Sequence, residues 1–272
     1  MNALVRELRV TIRSLCRTPG FTSAAVLTLA LGMGASVAIV TVINSVLLDP
    51  LPFRDPDQLV VVMESDLRTS RMLGVSTGTF LDWKDTIPAY AQAAAWRFEY
   101  FNLTGFDEPE QVLGLRVSSS FLSLLGGQPL LGRGFLPAEE RPGERRVAIV
   151  TDALWRRRFG SDPRLIGATV TIEREAYTIV GILPPTFEFF RILNRPVDLF
   201  VPLTFDAAKA SRATHDLSVY ARLKPGQTVA RAQDDLARFY ADLAARYPDT
   251  NMNVGVTPLS PLVNEYWPMN PE

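Results

Sequence analysis

Over residues 18–48 the pattern of this chain is uniform, without a single charged side chain, and everything after it alternates. Within Phe21–Leu48 there are 19 apolar residues, two glycines and seven small or polar ones. Coiled as a helix, this span is roughly 40 Å long against a bilayer core of about 30 Å, which predicts one membrane-crossing helix over 20–48. Ahead of it, Leu4, Leu8, Ile12 and Leu15 recur at helical spacing, and Arg6, Arg9, Arg13 and Arg17 form a second stripe. That pattern predicts an amphipathic helix over 1–19 lying in the membrane interface, interrupted by Thr18-Pro19-Gly20. Inside the span, Ala24, Thr28, Gly32 and Ser36 fall at successive i+4 positions. A stripe of small residues lets helix backbones approach closely in lipid, so the span is expected to pack on other helices. Thr178–Leu203 cannot supply one, being broken by Pro184, Pro185, Pro196, Glu188, Arg191, Arg195 and Asp198. Partner helices must come from elsewhere.

Beyond residue 48 the periods become those of a soluble domain. Leu59–Met63 reads as a buried strand, and Ser76 as the cap of a helix through Phe80 and Trp83. Ala93–Leu103 and Glu110–Val117 read as strands, with Ser118 capping a short helix to Leu125 that Gly126-Gly127 ends. Val147–Thr151 runs into a helix over Asp152–Phe159, and Leu165–Ile172 with Tyr177–Leu183 reads as a hairpin. The turn at Arg174-Glu175 lacks the usual glycine. Leu217–Leu223 is a strand. Thr228–Tyr247 is a helix with the stripe Val229, Ala232, Leu236, Tyr240, Leu243 and Tyr247, capped by Thr228 and stopped by Pro248. Asn253–Leu259 reads as a last strand. The expected class is α+β, helices on antiparallel sheet. The stretch 127–197, richer in short strands, Gly and Pro, reads as a small β-rich subdomain inserted between 49–126 and 198–262, with 263–272 a tail.

Charge orients the chain. The arm carries four arginines against Glu7, and Asp49, Arg54, Asp55 and Asp57 follow the span. Basic residues stay on the cytoplasmic side, so the N-terminus is expected in the cytoplasm and 49–272 in a periplasm-like space, on a single-pass inner-membrane protein. Ser36-Val37-Ala38 imitates a signal-peptide cleavage site, but apolar sequence continues ten residues beyond it. The arm leaves 24 basic and 28 acidic residues for the head, which therefore has no basic excess suited to nucleic acid. The single cysteine, Cys16, lies in the arm, so the head has no disulfide.

Chemistry is sparse. No G-x-x-x-x-G-K-[ST] is present for a nucleotide phosphate, and one histidine, His215, excludes histidine-pair metal sites. No calcium-loop spacing occurs. No catalytic, metal or cofactor residues are expected. Gly74-Val-Ser-Thr-Gly78 matches the nucleophile elbow, and Asp198 and His215 follow in a triad's chain order. That motif needs a core strand running directly into the serine, whereas Arg68-Thr-Ser-Arg71 precedes it, so a helix cap explains Ser76. His215 reads as a loop or strand-end histidine, and Arg156-Arg157-Arg158 as the solvated face of a short helix.

Several segments, in order, resemble one family. Arg17-Thr-Pro-Gly-Phe-Thr22, Leu27-Thr-Leu-Ala-Leu-Gly-Met-Gly-Ala35 and Asn44-Ser-Val-Leu-Leu-Asp-Pro-Leu-Pro-Phe53 resemble the start of MacB/FtsX-like ABC transporter permeases, the duplicated orphan branch in particular. Val117-Ser-Ser-Ser-Phe121, Gly132-Arg-Gly-Phe135, Leu154-Trp-Arg-Arg157, Gly181-Ile-Leu-Pro184 and Arg222-Leu-Lys-Pro-Gly226 continue the likeness through a MacB-type periplasmic core domain, to about residue 262. The resemblance implies a porter-like α/β subdomain with a second small one inserted. It implies a separate cytoplasmic ABC ATPase as partner, with further permease helices or a second permease copy and membrane lipid. It implies relay of ATP-driven motion to the head rather than catalysis. Family members continue into three more membrane helices, absent from Pro261–Glu272, so an N-terminal fragment of a permease is expected. The alternative is a membrane-tethered periplasmic binding or interaction module without energy coupling.

Overall fold

The computed structural model describes residue 53 and residues 55–262, apart from 106, 107, 188, 190, 193 and 194, together with residues 20, 23, 26–34 and 36. The chain divides into two units, Met1–Pro50 and Leu51–Glu272. In the second, β1 (Leu59–Val62) and β2 (Glu64–Asp66) are followed by β3 (Arg71–Leu73), α1 (Thr77–Trp83), β4 (Tyr90–Thr104), β5 (Glu110–Val117) and α2 (Phe121–Leu125). Then come β6 (Leu131–Gly132), β7 (Val147–Thr151), α3 (Asp152–Phe159), β8 (Thr169–Ile172) and β9 (Glu175–Leu183). A two-residue ribbon, β10 (Arg191–Ile192) and β11 (Arg195–Pro196), leads to β12 (Leu199–Pro202) and β13 (Ser218–Leu223). The unit finishes with α4 (Val229–Arg246), α5 (Pro248–Asn251), β14 (Val254–Val256) and β15 (Ser260–Pro261).

Ten strands join in one sheet ordered β15-β1-β13-β4-β5-β12-β7-β9-β6, with β8 pairing both β4 and β9. From β15 to β5 it is antiparallel, as expected. Beyond that the expectation fails: β12 runs parallel to β5, and β7 parallel to β9, so the sheet is mixed. The reason is β12, which periodicity misses because all four of its residues are buried and no alternation marks it. A second sheet, β14-β2-β3, splits off where the chain breaks at Met63. The expected strand over Asn253–Leu259 is accordingly two pieces, Val254–Val256 in the small sheet and Ser260–Pro261 in the large one.

The antiparallel half is buried on both faces. Val60, Val62, Ala93, Ala95, Val219 and Ala221 pack with Phe80 and Trp83 of α1 and with Leu236, Tyr240 and Leu243 of α4. Leu59, Val61, Ala94, Trp96 and Tyr220 face the other way, onto Phe121, Leu124 and Leu125 of α2. Each of the larger of these side chains contributes about 1.5–3 kcal/mol by leaving water.

The other half closes on itself. β4 pairs β5, β5 pairs β12, β12 pairs β7, β7 pairs β9, β9 pairs β8, and β8 returns to β4 through Leu103↔Ile172. All six strands supply one apolar cluster, including Phe101, Val112, Leu199, Val150, Ile179 and Val170. A bulge at Val180 makes this work: register jumps from Ala148↔Ile179 to Ile149↔Gly181. Ile179 and Ile182, three apart, therefore share a face, while Val180 and Leu183 serve the other core. The β8–β9 turn is made by Glu173 and Arg174 at φ 51° and 64°, left-handed geometry without glycine. Glu173 is held there by β4: its carboxylate accepts from the Asn102 backbone N–H at 2.6 Å.

Ser76 caps α1 as expected, its Oγ accepting from the Thr79 N–H. Ser118 does not cap α2. The N-cap position is Ser120, and Ser118 Oγ instead accepts from the Ala95 N–H at 3.0 Å.

Candidate functional site

The segment that looks most like an active site in sequence is a packing seat. A Cβ on Gly74 would lie 2.7 Å from the His215 carbonyl and 2.9 Å from that of Leu217. A Cβ on Gly78 would lie 2.7 Å from Cγ of Arg212. Gly74 is thus required by the close approach of the backbone at 215–217, and Gly78 faces the Arg212 side chain. Ser76 between them is buried, and its hydroxyl donates to Thr79 Oγ1 at 2.8 Å. Asp198 lies elsewhere, 3.1 Å from Nη2 of Arg157. Ser76, His215 and Asp198 do not converge.

His215 meets Glu64 instead. The Glu64 carboxylate is fully buried at the start of β2, where the run Leu59–Met63 gives way to the small sheet. It accepts from the Ser76 N–H at 3.2 Å and the Tyr240 hydroxyl at 2.8 Å, and pairs with Nδ1 of His215. The hydrogen bond to Glu64 raises the His215 pKa above its ordinary value, against the opposing effect of burial. Burial, then the Glu64 charge, pushes the Tyr240 hydroxyl well up. One carboxylate so ties together β2, the N-terminus of α1, the approach to β13, and α4. A buried charge satisfied by three donors is a locking device: it is costly to break and gives no open face to a substrate. His215 does precede a strand, as expected, but its partner was not foreseen. The available signals were a lone acid ending an apolar run and the only histidine in the chain.

From Asp206 to Asp216 the chain forms a strap across α1. It is pinned at both ends by apolar side chains, Phe205 against Phe80 at 5.8 Å and the buried Leu217. Between them no residue is buried. Polar contacts hold it: Arg212 to Asp82 at 2.8 Å and over the Tyr247 ring at 3.9 Å, the Gly78 N–H to the Ser211 carbonyl at 2.9 Å, and Asp216 to Arg97 at 2.7 Å.

The triple arginine is only partly the solvated face expected. Arg156 is exposed beside Asp152, but Arg157 bridges Asp198 and Glu110, and the Arg158 side chain is 14% exposed, paired with Glu110. An apolar groove of about 430 Å³ lies along Met63, Leu67, Met72, Val256 and Pro258. Among the described residues no three His, Cys, Asp or Glu side chains converge as metal ligands would.

Of the predicted membrane elements, Leu4, Arg6, Leu8, Arg9, Ile12, Arg13, Leu15, Arg17 and Ala24 lie outside the described residues. Thr28, Gly32 and Ser36 are helical and exposed, with Ser36 Oγ donating to the Gly32 carbonyl at 2.9 Å. Among the described residues no helix is long and apolar enough to cross a membrane. Most of the span predicted over 20–48 falls outside them.

The unit from Leu51 onward is a mixed α/β domain in which the buried Glu64 carboxylate fastens several elements together. The chain belongs to the family of MacB-like periplasmic core domains, whose model matches residues 22–239. Its fold is similar to a domain assigned to a permease from Porphyromonas gingivalis, with TM-score 0.58, 18% identity, and coverage of 77% of this chain and 92% of that one. It is similar to the periplasmic region of MacB from Actinobacillus actinomycetemcomitans, with TM-score 0.56, 9% identity, and coverage of 79% and 94%. It also matches the extracellular domain of the noncanonic ABC-type transporter YknZ from Gram-positive bacteria, at TM-score 0.53, 14% identity, and coverage of 73% and 99%. No curated protein sequence matches significantly.

Proposed function

We propose that this chain is a component of an ABC-type transporter permease, in which the head relays ATP-driven motion from a separate cytoplasmic ATPase without chemistry of its own. The observation that carries this reading is the family match over residues 22–239, which begins inside the apolar segment and runs on through the head. Two features support it. Residues 26–34 are helical and leave Val26, Leu27, Leu29, Leu31 and Met33 58–73% exposed, a cost in water that lipid removes. The first and last described strands of the head also lie side by side, Val60 against Pro261. In this reading, motion delivered to that edge is passed along the sheet.

In this reading 20–48 crosses the inner membrane once, 1–19 lies along the cytoplasmic surface on its Arg6, Arg9, Arg13 and Arg17 stripe, and the head is periplasmic. Ala24, Thr28, Gly32 and Ser36 face further permease helices or a second permease copy. Residues 127–197 form a subdomain set into the porter-like part made by 49–126 and 198–262.

Topology is tested with the single cysteine, Cys16. A membrane-impermeant maleimide added to intact spheroplasts should label Ser70→Cys and leave Cys16 untouched; labelling of Cys16 from outside overturns the orientation. Coupling is tested by detergent pull-down from native membranes. An ABC ATPase should accompany the wild type and be lost when 1–19 is deleted, whereas recovery of periplasmic proteins alone rejects the relay.

A further inference from the structure

We propose that the strap over Asp206–Asp216 is a pH-responsive latch, fastened by the His215–Glu64 pair and loosened when His215 loses its proton. The argument starts from how the strap is held. Its central residues, Ala207-Ala-Lys-Ala-Ser-Arg-Ala-Thr-His215, include no large apolar side chain, and none is buried. Polar ties alone keep it on α1, so it belongs to the part of the fold that opens most easily.

Among the polar ties of the strap one is made by a histidine, the side chain whose ordinary pKa lies nearest neutral pH. The Arg212–Asp82 and Arg97–Asp216 pairs each join a guanidinium group to a carboxyl group. The groups facing His215 are Glu64 from β2, Asp216 beside it, and the Gly74 carbonyl. Tyr240 of α4 reaches the same carboxylate, and the Tyr90 hydroxyl, at the head of β4, lies near Tyr240 and Asp235. Tyr90 and Tyr240 both have raised pKa values and stay neutral. The Glu64 carboxylate and the Gly74 carbonyl are both acceptors, so the ring fits best when both its nitrogens carry protons.

The sign follows. A histidine whose pKa is raised by folding gives stabilisation that is fully present below its unfolded value of about 6.5 and is lost as pH climbs through the folded value. Above that point the imidazole is neutral and can no longer donate from both nitrogens to the Glu64 carboxylate and the Gly74 carbonyl, which weakens the tie of the strap to β2. The latch is therefore shut in mildly acidic surroundings and eased in alkaline ones.

Because the chain has one histidine, a histidine-labelled sample of the full chain in detergent, purified without a polyhistidine tag, gives a single imidazole signal to titrate by NMR. The midpoint should lie above the free value of about 6.5, and Glu64→Gln should bring it down. Across the midpoint, amide exchange protection over 206–217, corrected for intrinsic rate, should fall by about tenfold or more while that of β4 and β13 holds. His215→Gln should show the low protection at every pH. If that variant does not fold, the Glu64→Gln/His215→Gln double variant removes both charges and should lose the pH dependence. A wild-type midpoint at or below about 6.5, unchanged strap protection across it, or pH dependence surviving in the double variant overturns the proposal.

Discussion

Replacing Gly74 and Gly78 with alanine, one at a time, separates a packing seat from a catalytic elbow. At Gly74 the new Cβ meets two backbone carbonyls, at 2.7 and 2.9 Å, which no side-chain rotation can relieve. The strands must move apart, and the contact they carry is the Val75–Leu217 bridge, with hydrogen bonds of 2.7 and 3.1 Å. Overpacking costs about 1–3 kcal/mol, and weakening two backbone hydrogen bonds adds about 1 kcal/mol, giving roughly 2–4 kcal/mol for Gly74→Ala. At Gly78 the nearest atom is Cγ of Arg212 at 2.7 Å, a side-chain atom, with the Ala210 and Ser211 carbonyls at 3.3 Å, and the substitution falls in the first turn of α1. Alanine gains up to about 1 kcal/mol over glycine in a helix, which offsets part of that crowding, so Gly78→Ala should cost less than Gly74→Ala. Urea denaturation followed by tryptophan fluorescence reads both, since Trp83 and Trp96 sit in the two cores flanking the sheet. A Gly74→Ala midpoint equal to wild type, or a larger loss in Gly78→Ala, refutes the steric account.

Tyr240→Phe leaves the buried Glu64 carboxylate one donor short and should cost about 1–3 kcal/mol in the same assay, with the fold intact by circular dichroism. Phe101→Ala opens a cavity in the closed circuit of strands and should cost about 3–5 kcal/mol, seen as a lowered thermal midpoint. Arg174→Gly relieves a left-handed residue in the β8–β9 turn and should stabilise by up to about 1 kcal/mol, whereas Glu173→Gly, which also loses the contact to Asn102, should not.

Much of the fold was legible because the signals were local. Thr228 and Pro248 bracket α4, and Ser76 announces α1. Val147–Thr151 and Glu110–Val117 are strands at the expected residues. The losses were all non-local. β12 has apolar side chains on both faces and flanking prolines, so nothing in its own pattern marks it as the strand joining two halves of a sheet. Ser118 carries the composition of a cap, yet the competing partner, the Ala95 N–H, lies 23 residues away in sequence. Asp235 interrupts the apolar stripe of α4 and is buried beneath the exposed Arg231 and Arg238 that pair with it, an arrangement that a hydrophobic period cannot express. The elbow shows the converse: a short motif matched in sequence, while the carbonyls that demand its first glycine sit about 140 residues downstream.

β4 runs fifteen residues, roughly 50 Å at about 3.3 Å each, and belongs to both the antiparallel sheet and the closed circuit. Its first half pairs β13 and its second half pairs β5 and β8. β13 bonds one edge of the first half and β5 the other edge of the second, so the strand crosses from one half of the sheet to the other at Trp96, which pairs with both. The two halves of the sheet therefore share one uninterrupted run of backbone, and neither can be displaced without moving the strand common to both.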